Sequence, residues 1–420
     1  MAENKLLIQN IGQLVTCAGG GNGPIIGAFE KALGLKKGGS VAFEGGTIRA
    51  IGKTETLARE VNLDEFERID AEGRLVTPGL VDGHTHPVFA GDRKEEFERR
   101  NRGVSYEAIA RKGGGIFSTV RTTRQASSEE LERLLLARLR RFLAEGTTTL
   151  EAKSGYGLSF EDEMKQLEVI RKTSGEQPVE LVPTFLGAHT VPPEFRNKRK
   201  EYIRLLVERL LPAVAQKKLA VFCDVFLAKI AFTYAEAKEI LLAGKKLGLL
   251  PKLHADQLSN SNGGKLAAEV GAVSADHLEH ISEAGIQALK KSGTVAVLLP
   301  SASFYLRVKK MPPIKELLAA RVPVALATDF NPGTSPNYSL AFTMLLACVE
   351  WGFSAAQALL AVTRNAAFAL GKGDQLGLLA GGKQADLVLW EAEDYRELSY
   401  YSGVHLVKSV VKRGKVVWQK

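Results

Sequence analysis

The stretch PGLVDGHTHPVFAGDR, residues 78–93, places two histidines directly after a short apolar run. The segment GLVDGHTH (79–86) has the pattern of a buried strand, and residues two apart on a strand point to the same side. His84 and His86 can therefore direct both imidazoles at one point. We interpret the pair as two ligands of one metal ion.

Further apolar runs follow this strand, separated by helical patterns such as 127–146 and 234–248. In the first of these helices, Ser127 or Ser128 can cap the start and Gly146 can end it. The alternation predicts an α/β fold, a (β/α)8 TIM-type barrel. The predicted strands are 79–86, 147–153, 180–187, 219–226, 250–255, 273–278, 294–300 and 322–328.

The two ends of the chain have a different pattern. Apolar and polar residues alternate around glycine-rich turns in 5–16, 40–52 and 407–420. A chain that begins and ends in this way predicts one small β-sandwich domain built from both termini. We expect this domain to comprise 1–75 plus 375–420, with the barrel domain between them over 76–374.

Polar residues recur where the predicted barrel strands end, which is the end that carries the active site in such barrels. His254 ends the fifth strand and Asp329 ends the eighth. With His84 and His86 they make a set of three nitrogens and one oxygen, which suits a catalytic Zn²⁺ or Fe ion. We expect Asp329 also to accept a proton from metal-bound water, and His277, at the end of strand six, to polarise or protonate the substrate.

The loops after the strands supply candidate substrate-binding groups. Arg93 offers a planar fork suited to a carboxylate. Tyr156 lies in the glycine-flanked turn SGYGL (154–158), and His189 follows strand three. The loop TDFNPGTSPN (328–337) adds three residues that can hydrogen-bond a polar ligand through side chain or backbone, namely Asn331, Gly333 and Thr334.

Composition narrows the class of partner. The net charge is +9, but the basic residues are dispersed, and the densest run, RNKRKEYIR (196–204), has the pattern of a solvated helix start. We therefore expect a small anionic substrate and no nucleic acid.

No apolar run reaches the ~18 residues of a membrane span, and the N-terminus lacks a signal-peptide pattern. Three widely spaced cysteines without a C-x-x-C motif favour the reducing cytoplasm, and a homodimer is expected because such dimers are common.

Together these motifs resemble the amidohydrolase superfamily of metal-dependent hydrolases over nearly the whole chain. The finer resemblance is to its imidazolonepropionase family. The stretches that carry it are HTHPVFAGDR (84–93), KSGYGL (153–158), FLGAHTVP (185–192), LHADQLS (253–259), SADHLEH (274–280) and TDFNPGTSP (328–336).

The resemblance implies hydrolysis of 4-imidazolone-5-propanoate to N-formimidoyl-L-glutamate, a step of histidine degradation, with one Zn²⁺ or Fe ion per chain. Carried over residue by residue, it implies metal ligands at His84, His86, His254 and Asp329, substrate contacts at Arg93, Tyr156, His189, Gln257 and Thr334, and product contacts at Asn331 and Gly333.

Two positions depart from relatives in the superfamily. Many of its deaminases carry H-x-x-E after strand five, where this chain has His254-Ala-Asp-Gln257, and an amide cannot shuttle a proton. Proton transfer then rests on Asp329 and His277. Strand four, LAVFCDVF, lacks the lysine that two-metal members carboxylate as a bridge, so we expect one metal and a structural or supporting role for Lys153.

Two alternatives stay open. Another mononuclear amidohydrolase, an aminohydrolase acting on a nitrogen heterocycle, predicts glutamate at position 257 and needs no arginine after strand one. A non-catalytic scaffold with the same fold predicts lost metal ligands, and none is missing from the sequence.

Overall fold

The structure, a computed structural model, describes residues 4–104, 108 and 113–420. Its strands, numbered along the chain, are β1 (Lys5–Gln9), β2 (Gln13–Leu14), β3 (Lys36–Lys37), β4 (Ser40–Glu44), β5 (Thr47–Gly52), β6 (Glu67–Asp70), β7 (Leu75–Pro78), β8 (Leu80–Asp82), β9 (Thr147–Lys153), β10 (Glu180–Ala188), β11 (Phe222–Phe226), β12 (Leu250–Ala255), β13 (Ser274–His277), β14 (Val295–Leu298), β15 (Val324–Leu326), β16 (Leu387–Trp390), β17 (Val407–Lys412) and β18 (Lys415–Gln419).

The helices connect these strands. Within the described residues they are α1 (Phe29–Ala32), α2 (Thr54–Glu60), α3 (Lys94–Asn101), α4 (Ile116–Gln125), α5 (Ser128–Ala144), α6 (Phe160–Ser174), α7 (Arg199–Arg204), α8 (Leu211–Gln216), α9 (Tyr234–Lys246), α10 (Gly263–Val270), α11 (Glu283–Ser292), α12 (Pro300–Leu306), α13 (Ile314–Ala319), α14 (Leu340–Trp351), α15 (Ala355–Ala361), α16 (Arg364–Ala369) and α17 (Glu397–Tyr400). Short 3₁₀ turns cover Leu63–Glu65 and Pro193–Phe195, and a π-helical turn covers Leu205–Leu210.

The central unit is an eight-stranded parallel sheet in which β8 to β15 lie side by side in chain order. An isolated bridge between Thr85 and Phe330 links the segments that follow the first and last strands, with His86 N donating to Phe330 O over 2.8 Å. The sheet is thereby brought round into a barrel with helices between its strands, which confirms the predicted fold class. Each predicted strand overlaps an observed one, and 147–153 and 250–255 coincide with β9 and β12.

Local sequence explains the helices as well. Helix α5 begins after Ser127, whose hydroxyl accepts a hydrogen bond from Glu130 N over 3.2 Å. It buries a stripe that includes Leu131, Leu135 and Phe142. The helix ends two residues before Gly146, which has φ +85°.

The barrel strands are not purely apolar. Every position of β9 is buried, as expected for a strand covered on both faces, yet β9 carries Glu151 and Lys153. Lys252 of β12 is equally buried. The interior of the barrel therefore holds charges, and these lie next to the histidines described below.

Two further sheets flank the barrel. One is four-stranded in the order β5-β4-β1-β6, and the other is six-stranded in the order β18-β17-β16-β7-β2-β3. The second combines both termini, because β7 pairs with β2 and with β16. Ile8 and Phe43 of the first sheet share one buried cluster with Val76 and Leu389 of the second. Sheets from both ends of the chain are thus confirmed, and the domain limits stay a prediction.

Candidate metal centre and active site

His84 and His86 follow β8 and meet at the carboxyl end of the barrel. Their Nε2 atoms are 3.2 Å apart, and each lies 3.5 Å from Asp329 Oδ1. The ring of His254, on β12, is centred 4.5 Å from that of His84. One ring nitrogen from each of the three histidines lies within 4.8 Å of the others. The fold thus brings together all four residues expected to bind metal.

Buried carboxylates fix the orientation of two of these imidazoles. His84 Nδ1 donates to Asp276 Oδ2 over 2.6 Å, and His254 Nδ1 contacts Asp224 Oδ2 at 3.0 Å. A carboxylate in such a contact accepts the ring proton, which leaves the Nε2 lone pair of each histidine facing the centre. His254 Nε2 is buried and has no hydrogen-bond partner among the described residues. An inward-facing, unsatisfied lone pair of this kind fits a metal ion.

The electrostatics also suit a cation. Burial lowers the pKa of His84, His86 and His254, helped for His84 by the positive charge of Lys153. The imidazoles are therefore neutral near pH 7, the form that ligates metal. Three neutral nitrogens and one carboxylate make the donor set of a catalytic zinc or non-haem iron site.

Asp329 lies where the barrel closes, in a left-handed conformation with φ +53°. Its backbone N–H donates to His84 O over 3.1 Å, which holds the carboxylate beside the first histidine. Burial raises the pKa of Asp329 to about 7, although the neighbouring His277 opposes the shift. A carboxylate at this position can accept a proton from a water molecule held among the histidines.

His277 ends β13 on the other side of the cluster. Its ring is centred 5.4 Å from that of His254 and 5.6 Å from that of His84. Burial lowers the pKa of His277, but Glu279 and Asp329 outweigh it and raise the pKa above its usual value. An imidazole N–H at this position can donate a hydrogen bond to a developing oxyanion. His280 lies in the loop between β13 and α11.

A cavity of about 300 Å³ opens above the metal ligands. Its apolar wall includes Phe226, Leu258 and Leu306. Its polar lining comprises His86, Arg93, Tyr156, His189, Thr190, His254, Gln257, His277, Asp329, Asn331 and Thr334. A larger groove of about 690 Å³ beside Phe304 and Trp351 contains none of these groups, so we locate the site by its chemistry and not by volume.

Gly333 is the one predicted substrate- or product-contacting residue that does not line this cavity. It packs instead against Arg93, and a Cβ added at Gly333 would lie 1.8 Å from Arg93 Nη1. Asn331 Oδ1 accepts hydrogen bonds from Gly333 N and Thr334 N over 2.8 and 2.7 Å. The loop after β15 therefore forms a tight turn that supports the guanidinium.

Tyr156 and His189 line the cavity beside His86, and their ring centroids are 5.5 Å apart. The His189 ring stacks on that of His86 with centroids 5.2 Å apart, and its Nδ1 lies 3.0 Å from Gly155 O. Two side chains of α6 hold the turn that carries Tyr156. Glu163 accepts from Gly157 N over 2.9 Å, and Gln166 accepts from Tyr156 N over 3.1 Å.

Sequence reasoning missed these supporting residues and the carboxylates behind the histidines. Asp224 and Asp276 lie inside the apolar runs FCDVF and VSADHL, and Lys252 lies inside LPKLHA. The sequence signal that could have identified these residues is a charged residue within an otherwise apolar strand. Lys153, predicted to have a supporting role, donates to Asp224 Oδ2 over 2.6 Å, and the nearby carboxylates raise its pKa despite burial.

The chain is similar to known proteins over nearly its whole length. The sequence profile of the amidohydrolase family matches residues 75–417. A protein of Geobacillus kaustophilus named imidazolonepropionase is 46% identical over 414 residues, covering 98% of this chain and 97% of the relative. Proteins of the same name from Symbiobacterium thermophilum and Myxococcus xanthus are 46% and 45% identical, over 99% and 98% of this chain and 98% and 96% of theirs.

Solved structures support the fold alone. A triazine hydrolase variant superposes with a TM-score of 0.76 at 16% identity, covering 99% of this chain and 95% of its own. An adenosine deaminase from Xanthomonas campestris, solved with bound zinc, superposes with a TM-score of 0.69 at 20% identity, covering 98% of this chain and 92% of its own.

No helix within the described ranges combines the length and apolar character needed to cross a membrane.

Proposed function

The chain belongs to the amidohydrolase family and, within it, to the imidazolonepropionases, and we propose that it hydrolyses the cyclic amide of 4-imidazolone-5-propanoate to N-formimidoyl-L-glutamate. The observation that carries the proposal is the convergence of His84, His86, His254 and Asp329 at the base of a cavity that also contains Arg93. A small heterocycle fits the volume of the cavity, and a carboxylate on it would match the positive charge of Arg93.

These four residues would hold one Zn²⁺ or Fe ion. Bound there, the ion supplies Lewis acidity and lowers the pKa of a water molecule toward neutrality. Nitrogen and oxygen ligands accept either metal, so the choice between zinc and iron is a matter for metal analysis.

Asp329 accepts the proton of the attacking water, as a carboxylate beside the reacting oxygen can. The water oxygen bonds to the ring carbonyl carbon while His277 donates a hydrogen bond to the carbonyl oxygen as its negative charge develops. The carbon–nitrogen bond then breaks, and Asp329 returns the proton to the leaving nitrogen. Gln257, an amide, orients the substrate and moves no proton.

Arg93 binds the propanoate carboxylate. Its Nε donates to Glu96 over 2.8 Å, which fixes the plane of the guanidinium at the cavity wall. Tyr156, His189 and Thr334 line the same cavity and are proposed to contact the substrate, with Asn331 contacting the product. The product contact assigned to Gly333 would come from its backbone.

Turnover of imidazolonepropanoate, followed by the loss of its ultraviolet absorbance, tests the proposal when the metal content of the same sample is measured. We expect rapid turnover with about one ion per chain. A metal-loaded enzyme that leaves this substrate unchanged would overturn the proposal and favour the alternative, an aminohydrolase acting on another nitrogen heterocycle.

Replacing Asp329 with asparagine tests the assignment of the base. Asn keeps an oxygen donor but cannot accept the proton, so we expect kcat to fall by roughly 10²–10⁴-fold. Metal analysis of the variant is the control. A variant that retains its metal and turns over at a near-normal rate would rule out Asp329 as the base.

We further propose that the protein works in the cytoplasm as a homodimer. The three cysteines, Cys17, Cys223 and Cys348, are free thiols in the structure, as suits a reducing compartment. We propose a homodimer because homodimers are the most common oligomers of soluble proteins. Light scattering of the purified chain tests it, and a monomer mass would overturn it.

A further inference from the structure

A cluster of five charged side chains lies inside the barrel, directly behind the histidines. It comprises two lysines and three carboxylates from four strands, and each side chain is fully buried. We call it the barrel cluster, and its members are Glu151, Lys153, Asp224, Lys252 and Asp276.

Each lysine joins carboxylates from different strands. Lys153 Nζ donates to Glu151 over 2.9 Å and to Asp224 over 2.6 Å. Lys252 Nζ donates to Glu151 over 2.8 Å and to Gly83 O over 2.9 Å. Both ammonium groups also lie within 3.9 Å of Asp276 Oδ2. Each carboxylate of the cluster is thus next to at least one lysine.

The same carboxylates orient the metal-binding imidazoles. Asp224 faces His254 Nδ1, and Asp276 faces His84 Nδ1. Each of these two carboxylates therefore contacts both a histidine and a lysine. Burying three carboxylates with only neutral imidazoles beside them would be costly without compensating cations.

Without the two lysines, the carboxylates of the barrel cluster would suit a divalent ion. Donor atoms of His84, Glu151 and Asp276 lie within 4.8 Å of one another, which makes a second group of metal-ligand type behind the first. The cations that contact these carboxylates in the structure are the two lysine ammonium groups. The positive charges of Lys153, on β9, and Lys252, on β12, therefore already neutralise the carboxylates of that group.

We propose that Lys153 and Lys252 are positioning residues of the metal centre. Their ammonium groups take the place of a second metal ion, and they hold Asp224 and Asp276 where these carboxylates accept Nδ1–H from His254 and His84. This inference rests on the proposed function in one respect, that a metal ion binds on the Nε2 side of the histidines.

The test compares Lys153→Met and Lys252→Met with Lys412→Met. Lys412 is also buried and donates to Asp386 over 2.7 Å, but it belongs to β17 in the terminal sheet. It serves as the matched control for losing a buried lysine–carboxylate pair. Zn²⁺ affinity is measured by chelator competition and Zn²⁺ stoichiometry by elemental analysis, on folded protein.

We expect about one Zn²⁺ per wild-type chain and a 10–100-fold loss of affinity in each barrel-cluster variant, the range found when groups behind metal ligands are removed. Lys412→Met should lose stability but keep wild-type affinity. Wild-type affinity in both barrel-cluster variants, or an equal loss in Lys412→Met, would overturn the proposal, as would two tightly bound ions in the wild type.

A charge-balanced variant covers the case in which a single substitution prevents folding. Lys153→Met combined with Glu151→Gln removes one cation and one anion, and it still takes the ammonium donor from Asp224. The same loss of Zn²⁺ affinity is expected, and its absence would count against the proposal. None of these measurements uses the imidazolone substrate, so their failure is distinct from a failure of the proposed function.

Discussion

At the scale of single residues, Gly333 is constrained by space and not by its backbone angles. The guanidinium of Arg93 occupies the position that a side chain at Gly333 would need. We expect Gly333→Ala to displace Arg93 and to raise KM about tenfold, which corresponds to a loss of ~1.4 kcal/mol of substrate binding. Because the metal ligands are untouched, kcat should change much less.

Steady-state kinetics check this prediction, with Gly381→Ala as the control because an added Cβ at Gly381 meets nothing within 4 Å. Arg93→Ala should raise KM at least as much as Gly333→Ala. An unchanged KM in Arg93→Ala would contradict the role of the guanidinium in binding the carboxylate.

At the scale of elements, the first turns of α6 support the substrate wall. Gln166 is fully buried, donates to Val88 O over 2.6 Å and accepts from Tyr156 N over 3.1 Å. Gln166→Ala removes the acceptor of Tyr156 N and the donor to Val88 O at a fully buried position, so we expect a loss of roughly 2–4 kcal/mol of stability and a higher KM. Urea unfolding and kinetics measure the two effects. Gln287→Ala, at an exposed site of α11, should show neither.

The start of α9 predicts a pH dependence of stability. Arg199 donates two hydrogen bonds to Glu236, over 2.6 and 2.7 Å, and these lower the pKa of Glu236 to about 2. A pKa below the unfolded value means that the pair stabilises the fold above about pH 4.5 and that this stability is lost as the pH falls toward 2. Solvent screens the pair, so about 1 kcal/mol or less is expected.

Unfolding of wild type and Glu236→Gln at pH 6 and pH 3 checks this expectation. The glutamine can keep one acceptor oxygen for the helix cap, formed with Thr233, while it removes the charge and one acceptor of Arg199. The difference in unfolding free energy between the two proteins should therefore shrink as the pH falls. A difference that is constant between pH 6 and pH 3 would contradict the prediction.

At the scale of the whole molecule, the metal ligands join distant parts of the barrel. His84 and His86 follow β8, His254 lies on β12, and Asp329 follows β15. An ion bound to all of them stabilises only the folded chain, by ~4 kcal/mol at a free concentration a thousand times its Kd. For a chain of this size, chelation should lower Tm by about 5 °C.

Calorimetry before and after chelation measures this shift, and about one equivalent of Zn²⁺ should restore the original Tm. His254→Ala, which loses one ligand, should respond much less to the chelator. A Tm that does not change when the ion is removed would show that the four residues do not bind it together.

Much of the fold and of the site was predictable because it follows from local periodicity. His84 and His86 follow β8 on either side of the bridged residue Thr85, so the two-residue spacing predicted from the strand pattern still brings them together. Burial on both faces explains why β9 and β12 could be recognised as strands. Strand ends then locate Asp329 and His277, since parallel strands of a barrel present their carboxyl ends on one face.

The sequence by itself therefore determined the barrel, the terminal sheets and the residues gathered at the rim. Only the tertiary structure decided what lies behind them. Asp276 and His84 are 192 residues apart in the chain and yet 2.6 Å apart in space, and Arg93 and Gly333 meet only through barrel closure. The physical reason is that a buried charge is tolerated only beside its partner, and no local pattern records which distant residue that partner is.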